Sequence, residues 1–237
     1  MPMLATFTLP LALFNFLPVI FTAIGLSFIV RWLHQCQPTH TPLAIFAVLL
    51  IVAGGLAKAS WKLIATLSTE SILWLSNALF PLIGPGFFLL AVLSFACWYQ
   101  QRSGKTLVYP WLWAVLVIAA VFILAAVRTW GLEIPRGWFI PIMSLTTVGN
   151  LGLSIVLILM ALRLRARSLA ALFALNIFMV FALQPLALIE PKTLMLHWSE
   201  QILTTMGTLC FTVAAYGLSR YATRPGVLGR KESPAGY

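Results

Sequence analysis

The stretch that decides the fold is Leu9–Val30, which reads LPLALFNFLPVIFTAIGLSFIV and carries no charge. A helix needs about twenty apolar residues to cross the hydrocarbon core of a bilayer. This stretch is long enough, and Arg31 follows it directly. No Lys or Arg occurs in Met1–Phe7, so the basic region of a signal peptide is missing. We therefore expect the stretch to be retained as the first transmembrane helix.

The composition extends this interpretation to the whole chain. Of 237 residues, 61% are hydrophobic and only 8% are charged, whereas about a quarter are charged in an ordinary soluble domain. So few charges cannot cover a water-exposed surface, so lipid must be the main solvent. We expect one membrane domain over residues 1–221 and a basic, disordered cytoplasmic tail over 222–237.

Six further apolar runs are long enough to span a bilayer, which predicts an all-α bundle of seven transmembrane helices joined by short connections. In chain order the six runs are Leu43–Leu67, Ser71–Trp98, Tyr109–Val127, Trp138–Leu162, Leu169–Ile189 and Leu194–Leu218.

The distribution of basic residues predicts the orientation. If the N-terminus is outside, ten of the fifteen Lys and Arg residues fall on the cytoplasmic side. Cytoplasmic loops of membrane proteins carry such an excess. We therefore expect an outside N-terminus, a cytoplasmic C-terminus and a bacterial-type inner membrane. The net charge of +10 does not indicate nucleic-acid binding, because the bases lie at the ends of apolar runs.

Two short echoes suggest an internal repeat. Gly25–Ile29 (GLSFI) corresponds to Gly152–Val156 (GLSIV), and at the same offset Ala44–Ala47 (AIFA) corresponds to Ala171–Ala174 (ALFA). Helices 1–3 and 5–7 could then be parallel repeats joined by helix 4, a known transporter plan. The SWEET sugar carriers and PQ-loop proteins have a similar organisation, but their Pro-Gln signature is missing here. Chance coincidence in an apolar sequence is the alternative.

Helix 3 contains a cluster of helix-breaking residues, namely Pro81, Gly84, Pro85 and Gly86. Each proline removes a backbone donor, which frees the carbonyls of Asn77 and Pro81. Near mid-membrane these carbonyls must meet protein, water or ligand. The cluster predicts either a broken helix that lines a binding cavity or a kink satisfied by neighbouring helices.

Helix 2 carries Lys58, Trp61 and Lys62 near its outer end. Lysines four residues apart share one helix face. For Lys62 we expect the ammonium to extend to the outer surface. Lys58 lies deeper, where an unpaired charge costs about 2.5–3.5 kcal/mol on insertion scales, so it needs an anion or an acid.

Helix 7 offers such an acid in Glu200, flanked by His197 and Gln201, with Thr204 on the same side. These groups could bind a cation or pass protons. A contact between Glu200 and Lys58 is the sharpest prediction of the sequence. The alternative is that helix 7 starts later, which would leave Glu200 in the outer headgroup zone.

Metal and cofactor chemistry is not indicated. The three cysteines, Cys36, Cys97 and Cys210, are scattered and odd in number, which predicts neither a disulfide framework nor a zinc site. No HExxH motif occurs and no lysine lies in helix 7 to hold retinal. We expect no cofactor and no metal, and we do not expect an enzyme.

These features favour a small-solute carrier or permease whose polar site lies in the outer half between helices 2, 3 and 7. Its expected partners are the lipid bilayer and a small polar or anionic solute. The alternative is a non-transporting sensory or assembly subunit that binds a membrane protein, a lipid or a second copy of itself. The candidate ligand-binding residues are Lys58, Trp61, Lys62, Asn77, Pro81, Pro85, His197, Glu200 and Gln201.

Overall fold

The computed structural model describes residues 8–68, 72–187 and 193–222. In these ranges seven helices are long and apolar enough to cross a membrane, and no strand occurs. The prediction of an all-α, multi-pass bundle is confirmed. The helices are α1 (Leu9–Cys36), α2 (Thr41–Leu67), α3 (Leu73–Ser103), α4 (Pro110–Ala126), α5 (Phe139–Arg163), α6 (Arg167–Ala187) and α7 (Leu194–Ala222).

The helix boundaries follow hydropathy except where a helix continues past a charge. The first helix extends beyond Arg31 to Cys36, and α3 extends to Ser103. Charged residues end a hydrophobic stretch without ending the hydrogen-bond ladder, so both helices outlast their apolar runs. The expected helix ends at Ser71 and Ile189, and residues 223–237 of the tail, lie outside the described residues.

Two helices are interrupted near one end, each at the third residue before a proline. The interruption in α1 is at Asn15, before Pro18, and the interruption in α3 is at Ala78, before Pro81. A proline disfavours regular helix in the turn that precedes it. Of the two alternatives for the cluster at residues 81–86, a break is not seen there, because α3 continues from Leu79 through Pro85.

Six of the helices form a closed ring in the order α1, α2, α3, α5, α6, α7 and back to α1. The fourth helix lies outside the ring and packs against α3 and α5. It is the least buried of the seven helices, whereas α5 is the most buried. A membrane helix with this placement presents most of its surface to lipid.

The contact between α3 and α5 depends on glycine. A Cβ on Gly149 would lie 2.5 Å from the Phe88 nitrogen, and one on Gly84 would lie 2.9 Å from the Thr146 hydroxyl. Small residues let membrane helices approach this closely. The face of α5 that carries Thr146 and Gly149 therefore packs closely against α3.

A disulfide joins Cys36 at the end of α1 to Cys97 on α3, with their Cα atoms 5.9 Å apart. We call this end of the bundle the cysteine end and the opposite end the lysine end. The Gln101 side-chain nitrogen lies 2.8 Å from the Cys36 sulfur. The sequence indicates no disulfide framework, and it does not reveal this single pair, because the two cysteines are 61 residues apart and only helix packing brings them together.

Candidate functional site

Lys58 of α2 is half-buried at the lysine end. Its ammonium donates to the Ser76 hydroxyl at 3.1 Å, and it lies 4.3 Å from the centre of the Trp61 ring. A hydroxyl and an aromatic face both lower the cost of a desolvated ammonium without neutralising its charge. Both contacts place the Lys58 ammonium inside the bundle.

Lys62, one turn further along α2, reaches across to α1. Its ammonium donates to the Asn15 side-chain oxygen at 2.7 Å, and the Asn15 amide donates to the Leu11 carbonyl at 2.6 Å. Asn15 is only 9% exposed. Lys62 therefore bonds to a buried amide instead of extending to the surface. The interruption of α1 at Asn15 places this amide between the two helices.

His197 and Glu200 lie together on α7, as their spacing predicts. Their Nδ1 and Oε2 atoms are 3.6 Å apart, and the two side chains are 10% and 20% exposed. The Thr204 hydroxyl donates to the Glu200 backbone carbonyl at 2.7 Å. That bond follows the usual pattern of a threonine within a membrane helix.

Gln201 is held by the proline in α1. Because Pro18 has no N–H, the Phe14 carbonyl loses its helical partner. The Gln201 amide donates to that carbonyl at 3.4 Å, and Gln201 is only 6% exposed. Pro18 therefore frees a carbonyl in α1, and a side chain of α7 donates a hydrogen bond to it. The sequence already contained the signal for this freed carbonyl, since a proline leaves the carbonyl four residues before it without its helical donor.

A cavity of about 270 Å³ lies between α1, α2, α3 and α7. Lys58 and Gln201 both line it, and Leu79, Ile83 and Phe87 form its wall on α3. Its polar lining residues are Asn15, Thr22, Lys58, Gln201, Thr204 and Thr208. One cation, two amides and three hydroxyls thus surround a small space with mostly apolar walls.

Several predicted site residues lie beside this cavity without lining it. Asn77 is exposed, and Pro81 and Pro85 lie off the α3 face that forms the wall. Trp61, Lys62, His197 and Glu200 do not line the cavity either. The contact between Lys58 and Glu200 stays a prediction. The sequence did not predict that Asn15, or any other residue of α1, takes part in the site.

The lining suits a small polar or anionic solute. An ammonium and neutral donors offer hydrogen bonds to a carboxylate or phosphate. Within the described ranges, no group of three or more His, Cys, Asp or Glu residues is placed to hold a metal ion. Comparison with known families, with curated proteins and with solved structures finds no match for this chain. Its function has to be inferred from its own geometry.

Proposed function

We propose that the protein is a small-solute carrier and that its binding site is the cavity between α1, α2, α3 and α7. The observation that carries this proposal is Lys58, the one cation among the described residues that line the cavity. A charge inside a membrane bundle is costly and usually marks a solute or ion pathway. The solute would be a small organic or inorganic anion whose charge faces the Lys58 ammonium.

The size of the cavity limits the solute. At about 270 Å³ it lies just below the range of about 300–1,000 Å³ for drug-sized ligands. Gln201 donates to the Phe14 carbonyl at 3.4 Å, and its amide nitrogen carries a second hydrogen that can donate to an anion. A carboxylate or phosphate of a few heavy atoms satisfies both the volume and the charge.

Transport also needs a way through the bundle. Toward the cysteine end, the interior is filled by buried Leu26, Leu90 and Phe173, so solute exit requires helix movement. The interruptions at Asn15 and Ala78 lie beside the cavity, since Asn15 and Leu79 line it. Hinges in moving proteins are commonly found at such element ends. We propose these two positions as the hinges.

Uptake into proteoliposomes tests the carrier. The probes are radiolabelled formate, acetate, lactate, succinate and phosphate. At least one should show saturable uptake, and Lys58→Gln should lower it about thirtyfold, the effect of losing a contact worth about 2 kcal/mol. Lys105→Gln, which removes an exposed charge at the cysteine end, should leave uptake unchanged. Equal loss in both variants, or no saturable uptake of any probe, contradicts the proposal.

A non-transporting sensory or assembly subunit is the second candidate. The close seam between α3 and α5, where a Gly149 Cβ would touch the Phe88 backbone, favours a bundle that does not open. Such a subunit would copurify with a fixed membrane partner, or with a second copy of this chain, and would show no flux for the same probes.

We also propose that the cysteine end faces the cytoplasm of a bacterial-type inner membrane. Support comes from Arg31, Arg102 and Arg163, which all lie at this end, and from the positive-inside rule. Disulfides are rare in the reducing cytoplasm, so with this orientation the Cys36–Cys97 disulfide of the structure should be reduced to two thiols in living cells.

Labelling a Cys210→Ser variant with a membrane-impermeant maleimide tests this orientation. The Cys36 thiol, the partly exposed one of the pair, should stay unlabelled in intact cells and react after permeabilisation without reductant. Reaction only after reductant has been added would place the pair on the oxidising side and reverse the orientation.

We infer, finally, that the two halves of the chain are parallel repeats. Exchanging α1, α2 and α3 with α5, α6 and α7 preserves every neighbour relation in the ring. The contact between α3 and α5 then corresponds to that between α7 and α1. This order of neighbours agrees with the sequence similarity between Gly25–Ile29 and Gly152–Val156.

A further inference from the structure

A second cavity lies on the opposite side of α3 from the proposed solute site. It has a volume of about 390 Å³ and is formed by α3, α4 and α5. Its walls are apolar apart from Ser144 and Arg128. Leu124 and Val148 on its rim are 52% and 58% exposed. In a membrane, such a groove opens sideways into the hydrocarbon.

Among the described residues that line the groove, Arg128 is the one cation, and it lies at the lysine end of α4. It belongs to a π-helical turn, Val127–Gly131, which continues α4. π-turns inside helices are frequently found at functional sites, because the extra residue re-aims the side chains. Arg128 thus lies where the apolar groove reaches the membrane interface.

The following loop folds back and fixes Arg128. Its Nε donates to the Gly137 carbonyl at 3.3 Å, and the Ile134 amide donates to the Arg128 carbonyl at 3.1 Å. A Cβ on residue 137 would lie 2.8 Å from the Arg128 oxygen, so glycine permits this approach. Glu133 and Arg136 adopt left-handed backbone conformations, with φ of 51° and 55°. Strained loop residues of this kind accompany ligand clamps.

The terminal nitrogens of Arg128 are available to an outside anion. Across the described ranges no carboxylate pairs with Arg128, and its Nε takes the loop carbonyl. A guanidinium recognises phosphate through two parallel hydrogen bonds.

The length of the groove matches one leaflet of a bilayer. Val117 and Arg128 both line it and are eleven residues apart on the chain, which corresponds to about 16 Å along a helix. One leaflet contributes half of a hydrocarbon core that is about 30 Å thick. A chain that starts with its headgroup at Arg128 would lie along the groove toward mid-membrane.

We propose that this groove binds an anionic phospholipid, with one acyl chain between α4 and α5 and the phosphate on Arg128. A soluble anion would not use the apolar walls, and an uncharged lipid would not use Arg128. The groove and the solute cavity share only helix α3, where Phe88 lines the groove and Phe87 lines the cavity. Lipid binding here does not depend on transport.

Native mass spectrometry of the detergent-purified protein tests whether the charge of Arg128 contributes to phospholipid binding. Phosphatidylglycerol should bind more tightly than phosphatidylcholine, and Arg128→Gln should weaken phosphatidylglycerol binding about fivefold, in line with the usual effect of one base near an anionic lipid. Arg136→Gln removes the same charge from the same loop and should change binding less than about twofold. An equal loss in both variants would mean a general charge effect and would overturn the site.

A steric variant tests the groove independently of charge. Val148→Trp should fill its exposed rim and lower phosphatidylglycerol binding, whereas Ile155→Trp, two helical turns along the same α5 face, should leave it unchanged. Phosphatidylglycerol with a photoreactive acyl chain should crosslink to α4 or α5 beside Val121. Crosslinks confined to other helices, or unchanged binding by Val148→Trp, would overturn the proposal.

Discussion

The two sides of α3 are built in opposite ways. On one side its backbone nearly touches α5 at Gly149 and Gly84. On the other side, toward α1, α2 and α7, lies a cavity that Lys58 and Gln201 line. The second side is closely packed only against α2, where a Cβ on Gly86 would lie 2.7 Å from the Ala47 carbonyl oxygen. Toward α1 and α7 the cavity remains open, and long polar side chains line it in place of glycine.

This contrast predicts that the same kind of change, an added carbon, acts in opposite directions on the two sides. Close packing has no room for new atoms, so overfilling costs stability. An unfilled cavity has room, so filling it stabilises the fold while it removes space for a ligand. A site for a solute therefore belongs at the cavity and not at the contact between α3 and α5.

The largest effect is expected for Gly149→Ala. Its new Cβ would lie 2.5 Å from the Phe88 backbone nitrogen, and overpacking of this kind lowers the free energy of unfolding by about 1–3 kcal/mol. Thermal unfolding of the purified protein measures this loss of stability. The matched control is Gly152→Ala, whose Cβ would lie 3.7 Å from Ala91. If both variants unfold at the same temperature, the close seam does not exist.

A smaller, opposite effect is expected for Thr204→Ile in the cavity wall. The Thr204 hydroxyl bonds to its own helix, so no contact across the bundle is lost. Filling the cavity should raise the free energy of unfolding by about 1 kcal/mol and lower uptake of the transported anion. Thr205→Ile is the control, because Thr205 has a similar bond to its own helix but does not line the cavity. If the two variants have the same free energy of unfolding and the same uptake, the cavity does not exist.

The smallest effect is expected for the hydrogen bond between Lys62 and Asn15, at 2.7 Å. A double-mutant cycle with Lys62→Met and Asn15→Ala should give a coupling of about 0.6 kcal/mol, the average for such bonds in membranes. A cycle that pairs Asn15→Ala with Lys105→Met at the cysteine end should give none. A coupling of zero in the first cycle would show that polar contacts do not hold this side together.

The sequence predicts the seven helices well because the hydropathy of each helix is a property of one continuous stretch of residues. Seven apolar runs became seven helices, and α7 begins at Leu194 as expected. The spacing of His197 and Glu200 likewise placed them together, since both lie on one helix.

Contacts between distant helices are what the sequence does not reveal. Gln201 and the Phe14 carbonyl are 187 residues apart, and Cys36 and Cys97 are 61 apart. Each contact depends on which helices become neighbours, a property of the whole ring. Proline positions alone do not decide it, because Pro85 leaves α3 continuous while Pro18 frees a carbonyl for another helix.

The position of α4 outside the ring has a topological consequence. With α4 between them in the chain, α3 and α5 cross the membrane in the same direction, yet they are close neighbours. The chain must therefore cross back to the lysine end, where α3 began, before α5 can start there, and α4 is the helix that crosses back. It plays the part that a crossover helix plays between two parallel strands. Because it lies outside the ring, its lipid-facing surface can vary in sequence as long as the residues there stay hydrophobic.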